Sequence, residues 1–462
     1  RYSLAVELAN FRTLNVADIN LLSTEVRDLG KLSLQVGGLT ETVTITSEIT
    51  PVQVADSSRR STLTQDDIAA IPTKGRDIFG MLGTLPGVQD TNLNRDFTQW
   101  RSAISITING MPSQNKDVRV DGINIVDEGG CGTAYVNLNM DAVGEVQVIA
   151  NGYTAENGRN NGGVISMVTK AGTNQLRASA WYNGRRDKFN ENDYFGKAAN
   201  QAKPLYRVNI SGYSVGGPVV IPGLVDSRRA DSKKFYFFGS QEFTDDARPT
   251  STTRANMPTG LEYNGDFSQT RITAGTIQPI RDPITGQPFP GNRIPAAGTP
   301  GCGVQFSCID PLGQRMLRLL PEANGILNPQ VGQEWTSNSA WDLTPVHGRT
   351  NNVFRFDSVF TDKTRMAIRV VKDRDDDWSW NRITPGTGFV NQNTPGILLS
   401  TTVTQVLKPT VVNEIGFGYT HNRWGFTAAD DFDYTSLYRS TLNIDPPRFE
   451  PPASTQGTPK VS

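Results

Sequence analysis

The sequence predicts a mainly β protein whose largest part is an incomplete transmembrane antiparallel β-barrel. A small α+β unit precedes the barrel strands, and the remnant of a β-sandwich precedes that unit. Three observations carry this reading. Seven segments alternate apolar residues with polar or small ones, the period of a strand with lipid on one face and a polar lumen on the other. The connections between them switch between short and long, the asymmetry of an outer-membrane barrel. No stretch approaches the roughly 18 apolar residues of a spanning helix, and a closed sheet is the other structure that satisfies its backbone in lipid.

The barrel strands are expected near 176–183, 206–215, 234–243, 352–360, 365–372, 399–407 and 411–420. Phe354, Phe356 and Phe360 alternate with Arg355, Asp357 and Val359. Met366, Ile368 and Val370 alternate with Ala367 and Arg369, and Val411, Ile415, Phe417 and Tyr419 oppose Glu414, Gly416 and Gly418. The turn at Thr361-Asp362-Lys363-Thr364 is short, as is Lys408-Pro409, whereas 184–205, 244–351, 373–398 and the region after 421 fall on the other side. The connection 244–351, rich in Pro and Gly, is expected to be extracellular and only partly ordered. Phe235-Tyr236-Phe237-Phe238 and Trp181-Tyr182 read as an aromatic girdle at the membrane interface. Asp373-Arg374-Asp375-Asp376-Asp377 reads as a solvated charge run in a loop, with calcium binding as the alternative.

The totals exclude little. Across 462 residues the net charge is -1, so nothing pulls the whole chain towards nucleic acid or anionic lipid. Gly 44 and Pro 27 suit a turn-rich β protein. A mean hydropathy of -0.39 would read as soluble on its own, but a barrel hides its lipid-facing residues at every second position. The chain begins at Arg1 without a basic, apolar, small-residue leader, so it reads as a fragment or a processed chain. The two histidines, His347 and His421, are far apart in sequence, so no histidine-rich metal site is expected. No catalytic constellation is visible, and neither enzyme activity nor a cofactor is expected. Cys302 and Cys308 lie close together in a Gly/Pro-rich loop and can close a disulfide in an oxidising compartment, which leaves Cys131 over.

The N-terminal half divides by composition. Residues 1–38 read as the last strands of a small β domain, at 2–8, 16–22 and 31–36. Residues 39–60 hold an extended segment and a polar linker. Within it, Thr42, Thr44 and Thr46 alternate with Val43 and Ile45 after Glu41. Residues 61–172 read as a compact α+β unit. There Thr64 caps a short helix with acids in its first turn, a second helix runs from 77 to 85, and strands follow at 104–108, 118–120, 143–150 and 164–169. Gly162-Gly163 precedes a strand rather than a helix, so a phosphate cradle fails on context. Residues 173–462 hold the barrel strands and their loops.

Several segments carry a family resemblance. They are 37–48 (GGLTETVTITSE), Pro72-Thr73-Lys74-Gly75-Arg76-Asp77, Leu85-Pro86-Gly87-Val88, Ile108-Asn109-Gly110 with Val120-Asp121-Gly122, and 162–174 (GGVISMVTKAGTN). In the barrel they are 286–295 (GQPFPGNRIP) and 409–414 (PTVVNE). With them the chain resembles TonB-dependent outer-membrane receptors, of the Oar-like subgroup that carries an N-terminal carboxypeptidase-regulatory-like domain. The resemblance implies a plug domain at 61–172 inside the barrel and a place in the cell outer membrane, among its lipids. It implies active uptake of a scarce ligand of the siderophore, glycan or peptide class. Its barrel would have about 22 strands, against the seven read here. It also implies a TonB-type periplasmic partner that seizes an extended segment by strand addition. Glu41, Thr42, Val43, Thr44, Ile45 and Thr46 are the candidates for that contact. Arg95, Trp100, Arg101 and Tyr135 are the candidates for ligand contact, because an aromatic beside arginines suits a sugar, a peptide or an anionic chelate. A surface lipoprotein is a further expected partner. An adhesion or export component and a soluble periplasmic β binding protein are the competing readings.

Overall fold

The computed structural model describes residues 2–19, 29, 31–36, 42–46, 58–92, 95, 98, 102–127, 129, 132–152, 155–158, 160–192, 194, 197, 203, 205–229, 233–247, 253–272, 276–318, 320–328, 336–341, 346–380, 390–423 and 425–428. At the N-terminus, β1 (Tyr2–Val6), β2 (Thr13–Ile19) and β3 (Thr42–Thr46) form a sheet in that order. Among the described residues Leu14, Val16 and Ile19 are buried in it. β1 runs antiparallel to β2, and β3 runs parallel to it. The strand expected at 31–36 is reduced to a single bridge between Phe11 and Val36.

The α+β unit begins earlier than its composition suggests. β4 (Arg59–Thr64) leads directly into α1 (Gln65–Ala70). Thr64 closes a capping box with Asp67, which satisfies two helix-end donors. α2 (Ile78–Leu82) is capped by the Asp77 side chain and buries almost every residue it has. Next come β5 (Val88–Asp90) and β6 (Ile106–Ile108), which pair with each other. They are followed by β7 (Asp117–Val120), β8 (Ile123–Asn124), β9 (Val143–Asn151) and β10 (Val164–Thr169). The main sheet has the order β4-β9-β10-β7-β8, with β7 and β10 parallel. Phe79, Met81, Ile108, Val120, Val146 and Met167 meet in its core. Losing a buried side chain of this size costs about 2–5 kcal/mol.

The wall follows as β11 (Arg177–Arg186) and β12 (Arg207–Pro218), with a small hairpin of β13 (Val220–Ile221) and β14 (Val225–Asp226) in the next turn. β15 (Lys234–Ala247) precedes the long connection, in which β16 (Thr253–Ala255) pairs with β17 (Ser339–Trp341). Then come β18 (Val346–Thr361), β19 (Thr364–Trp380), β20 (Val390–Lys408), β21 (Val411–Asn422) and β22 (Gly425–Ala428). The order is β11-β12-β15-β18-β19-β20-β21, antiparallel throughout, with β22 beside β20. All seven expected strands are present, most of them extended at the long-loop end.

Period-2 alternation sorts the wall into two faces. Phe354, Ile415 and Phe417 are exposed on the outward face at 48%, 59% and 60%. Phe238, Val353, Val371 and Leu398 point inward and join the core of the α+β unit. The unit therefore fills the inner side of the wall. The girdle reading needs correction for the same reason. Phe235 and Phe237 face outward, and Phe235 stacks on Phe356 at 5.9 Å. Phe238 and Trp181, of opposite parity, face inward. The charge run also needs correction. Residues 373–377 lie within β19, and Asp373 and Asp375 are buried against the inner side. The long connection carries more order than expected, with a short helix at Pro311–Leu317 and a bond joining Cys302 to Cys308 across a Cα separation of 5.6 Å.

Candidate functional site

The site is the contact between the inner unit and the wall. Its floor is the segment 137–139, whose backbone and Asn139 side chain meet β18 and β19. The Asn137 N–H donates to Asp373 Oδ2 at 2.9 Å, and the Asn139 N–H donates to Asn351 Oδ1 at 3.0 Å. Asn351 Nδ2 donates back to the Asn137 carbonyl at 2.6 Å and to Asp373 Oδ1 at 3.1 Å. Arg349 Nη2 donates to the same carbonyl and to Asp373 Oδ2, each at 3.2 Å. Ser240 Oγ donates to Asn139 Oδ1 at 3.1 Å. All of these residues are buried, and neutral amides carry much of the contact. Such bonds are worth about 0.5–1.5 kcal/mol net each, because water can take their place.

A second anchor is Arg76, which stands at a positive φ of 52° just before α2. It is ion-paired with Asp141 of its own unit and donates through Nε to Glu242 Oε2 of β15 at 3.3 Å. Its guanidinium lies 4.9 Å from the Trp181 ring centroid, and Trp181 Nε1 donates to the same Glu242 oxygen at 3.0 Å. A third anchor is Asp121, also at positive φ. It accepts from the Thr169 N–H at 3.1 Å and from Thr169 Oγ1 at 2.7 Å, and it faces Arg369 of β19 at 3.5 Å. Arg355 of β18 donates to the Thr169 carbonyl at 2.6 Å. Close backbone approach completes the contact. A Cβ on Gly396 would sit 1.8 Å from the Tyr135 carbonyl oxygen. None of these anchors was expected from the sequence. The inward parity of Asn351, Asp373 and Glu242 is the signal that could have found them.

Between the sheet of the inner unit and strands β18 to β21, towards the short turns, lies a cleft of about 1020 Å³. Arg60, Arg119, Asp121, Arg365, Arg369 and Glu414 line it. It is polar and of mixed charge.

The expected ligand residues fare differently. Arg95 is not on a ligand-facing surface, which is a correction. It lies inside the unit at 7% exposure. It donates to Asp77 Oδ2 at 2.6 Å, to the Ser102 carbonyl at 2.8 Å and to Asp90 Oδ1 at 2.9 Å, and it also contacts Ser105. Burial alone would lower its pKa, but the carboxylates of Asp90 and Asp77 outweigh burial and raise it. The same contact lowers Asp90 against its own burial. A guanidinium so committed ties Asp77, Asp90, Ser102 and Ser105 together. Nearby Lys116 is also buried and donates to the Ser113 carbonyl at 2.7 Å. Burial, and then the charge of Arg95, push its pKa down to about 8.

Tyr135 is half-buried, with its N–H bonded to the Ile125 carbonyl at 2.7 Å and its own carbonyl against Gly396. Trp100, Arg101, Glu41 and Cys131 lie outside the described residues. The backbone of Thr42, Val43, Thr44, Ile45 and Thr46 is strand β3, at the edge of the N-terminal sheet. Among the described residues no group of metal-ligating side chains is present, and no helix is long and apolar enough to cross a membrane.

Comparison with known proteins agrees with this division. The family described as "TonB-dependent Receptor Plug Domain" matches residues 53–165, and "Outer membrane beta barrel domain" matches residues 168–462. A curated relative, the TonB-dependent transporter Oar of Myxococcus xanthus, is 30% identical over 142 residues, which cover 29% of this chain and 12% of that protein. Among solved structures, the outer membrane transporter YddB from Escherichia coli aligns with a TM-score of 0.45 at 13% identity, covering 79% of this chain and 39% of its own. The ferric enterobactin receptor PfeA from Pseudomonas aeruginosa aligns with a TM-score of 0.41 at 12% identity, covering 79% and 41%. The chain thus spans less than half the length of these relatives. With a plug domain seated against an outer-membrane barrel wall, it belongs to the TonB-dependent receptors of the outer membrane.

Proposed function

We propose that the chain is the plug-bearing part of a transporter that takes up a scarce ligand by a TonB-dependent, energised step. The observation that supports this most is the polar network in the contact between plug and wall. A plug fixed for good would be held by apolar contacts alone. This one adds to the apolar contacts of Phe238, Val353, Val371 and Leu398 a set of asparagines, backbone groups and two ion-paired anchors, Arg76–Glu242 and Asp121–Arg369, which pulling can trade for water. The ligand class is a siderophore, a glycan or a peptide. The chain carries out no catalytic step and needs no cofactor.

In this reading residues 1–38 end a carboxypeptidase-regulatory-like domain, 39–60 couple to the energy source, 61–172 are the plug and 173–462 begin the barrel. A TonB-type periplasmic protein would add a strand to the open edge of β3, at Glu41 to Thr46. Trp100, Arg101 and Tyr135, all within 61–172, would meet the ligand, and a surface lipoprotein would help to deliver it. The test uses cells carrying the full-length receptor and offers labelled ferric siderophores, oligosaccharides and peptides in turn, with and without a protonophore. Accumulation of one class that stops with the protonophore supports the proposal. Surface binding alone, unchanged by the protonophore, overturns it in favour of an adhesion component.

A further inference from the structure

The outward face of the wall is apolar near the short turns and changes character along one row. In that row Tyr213, Gln241, Asn352 and Lys372 stand side by side on β12, β15, β18 and β19. Tyr213 Oη donates to Gln241 Oε1 at 2.7 Å, and Gln241 Nε2 donates to Asn352 Oδ1 at 2.7 Å. Asn352 lies ten residues from the turn at Asp362-Lys363. At about 3.4 Å per residue and a tilt near 45°, that is roughly 24 Å above the turn, the height of a barrel's apolar band. Asn352, with Lys372 beside it, therefore stands near the headgroup level of the outer leaflet, because the long loops lie beyond them.

Immediately below the row is a groove of about 250 Å³. Gly239 forms its floor, where an added Cβ would meet nothing within 4 Å. Val215, Phe354 and Val370 form its apolar sides, and Lys372 stands at its upper rim. Among the described residues no carboxylate pairs with Lys372. Asp376, one strand-turn higher on the same face, is bound to Arg374 at 2.7 Å. An apolar slot under a cation and a ladder of amide and hydroxyl groups has the chemistry of an acyl chain with a phosphorylated head.

We propose that this groove binds the acylated, phosphorylated glycolipid of the outer leaflet. One acyl chain lies over Gly239, and a phosphate meets Lys372 with Gln241 and Asn352 beside it. The occupant is an outer-leaflet lipid because the cation and the amides lie at the long-loop end of the apolar band. A cationic rim beside an anionic head gives the charge complementarity.

The test titrates the delipidated full-length receptor, in mild detergent, with purified lipid A and separately with phosphatidylglycerol of matched chain length, and reads binding by native mass spectrometry. Binding does not depend on transport, so failure here leaves the uptake proposal standing. Lipid A should bind more tightly than phosphatidylglycerol. Lys372→Glu should weaken lipid A about fivefold, the worth of one cation at a lipid surface. Gly239→Val, whose Cβ has room there and whose methyls would occupy the floor of the groove, should weaken it as well, with β content unchanged by circular dichroism. If Lys372→Glu does not fold, Gly239→Val and Gln241→Ala carry the test. Equal binding by wild type and variants, or equal affinity for phosphatidylglycerol, overturns the proposal.

Discussion

Asn351 of the wall and Asn139 of the plug bond through their side-chain amides, with Asn139 Nδ2 donating to Asn351 Oδ1 at 2.8 Å, and neither residue is exposed to solvent. Asn351 also serves the Asn137 carbonyl and the Asp373 carboxylate. One wall side chain therefore satisfies groups on the plug and on the neighbouring strand at once.

Asn351→Leu keeps the side-chain size but removes both donor and acceptor. The Asn139 amide and the Asn137 carbonyl are then buried with fewer partners. Each buried polar group left unsatisfied costs about 1–3 kcal/mol, so the seat of the plug should weaken by about 2–4 kcal/mol. Amide exchange across 132–142 should accelerate while the wall strands stay protected. Exchange unchanged in both regions would show that the network carries no holding energy.

How far the sequence reveals this contact depends on what each residue faces. The seven wall strands were legible because lipid forces one parity to be apolar, as at Phe354, Phe356 and Ile368. Their long-loop ends were not, because there the inward residues face the polar plug. Asn351, Asp373 and Asp375 keep the period but lose the apolar signal, and so read as a loop. β4 was hidden in the same way, since Leu63 is its only fully buried apolar residue. Thr64 and Asp67 were legible as a helix start because a capping box is local chemistry. Arg95 was misread because its buried partner Asp77 lies 18 residues away, and an arginine in a polar loop looks solvated.

Gly396 of β20 predicts a steric effect of its own. Any Cβ there collides with the Tyr135 carbonyl oxygen, which is backbone and cannot rotate away. Gly396→Val should therefore displace segment 132–142 from the wall and leave the sheet intact, since valine favours strands. In planar bilayers the full-length variant should show higher basal conductance than wild type. Wild-type conductance in a well-expressed variant would mean that the plug tolerates the shift.

Lys116 predicts a pH dependence. Its ordinary pKa of 10.5 falls to about 8 in the folded plug. Between these values the unfolded chain holds a proton that the folded chain lacks, so stability rises as pH rises through that window. Below about 8 both forms are charged, and the cost of burying the ammonium is fully present. Denaturant midpoints measured from pH 7.5 to 10.5 should rise more steeply for wild type than for Lys116→Met, and the difference isolates this group from other lysines. Parallel pH profiles would remove Lys116 as the cause.

The last prediction concerns energy coupling. Among the described residues β3 is paired on one side only, parallel to β2 and at the edge of its sheet. An edge strand presents a row of free backbone groups to an incoming chain. β3 precedes β4, which is the edge strand of the plug sheet next to β9. Force applied at β3 would thus travel along the chain into β4 before it reaches the anchors at Arg76 and Asp121. Val43→Pro removes a ladder donor and fixes φ, which an edge strand awaiting a partner tolerates poorly. In the full-length receptor it should abolish protonophore-sensitive uptake while ligand binding at the cell surface stays at the wild-type level. Loss of both would indicate a folding defect, visible as reduced receptor in the outer membrane. Full uptake by a well-expressed Val43→Pro receptor would place the coupling contact outside β3.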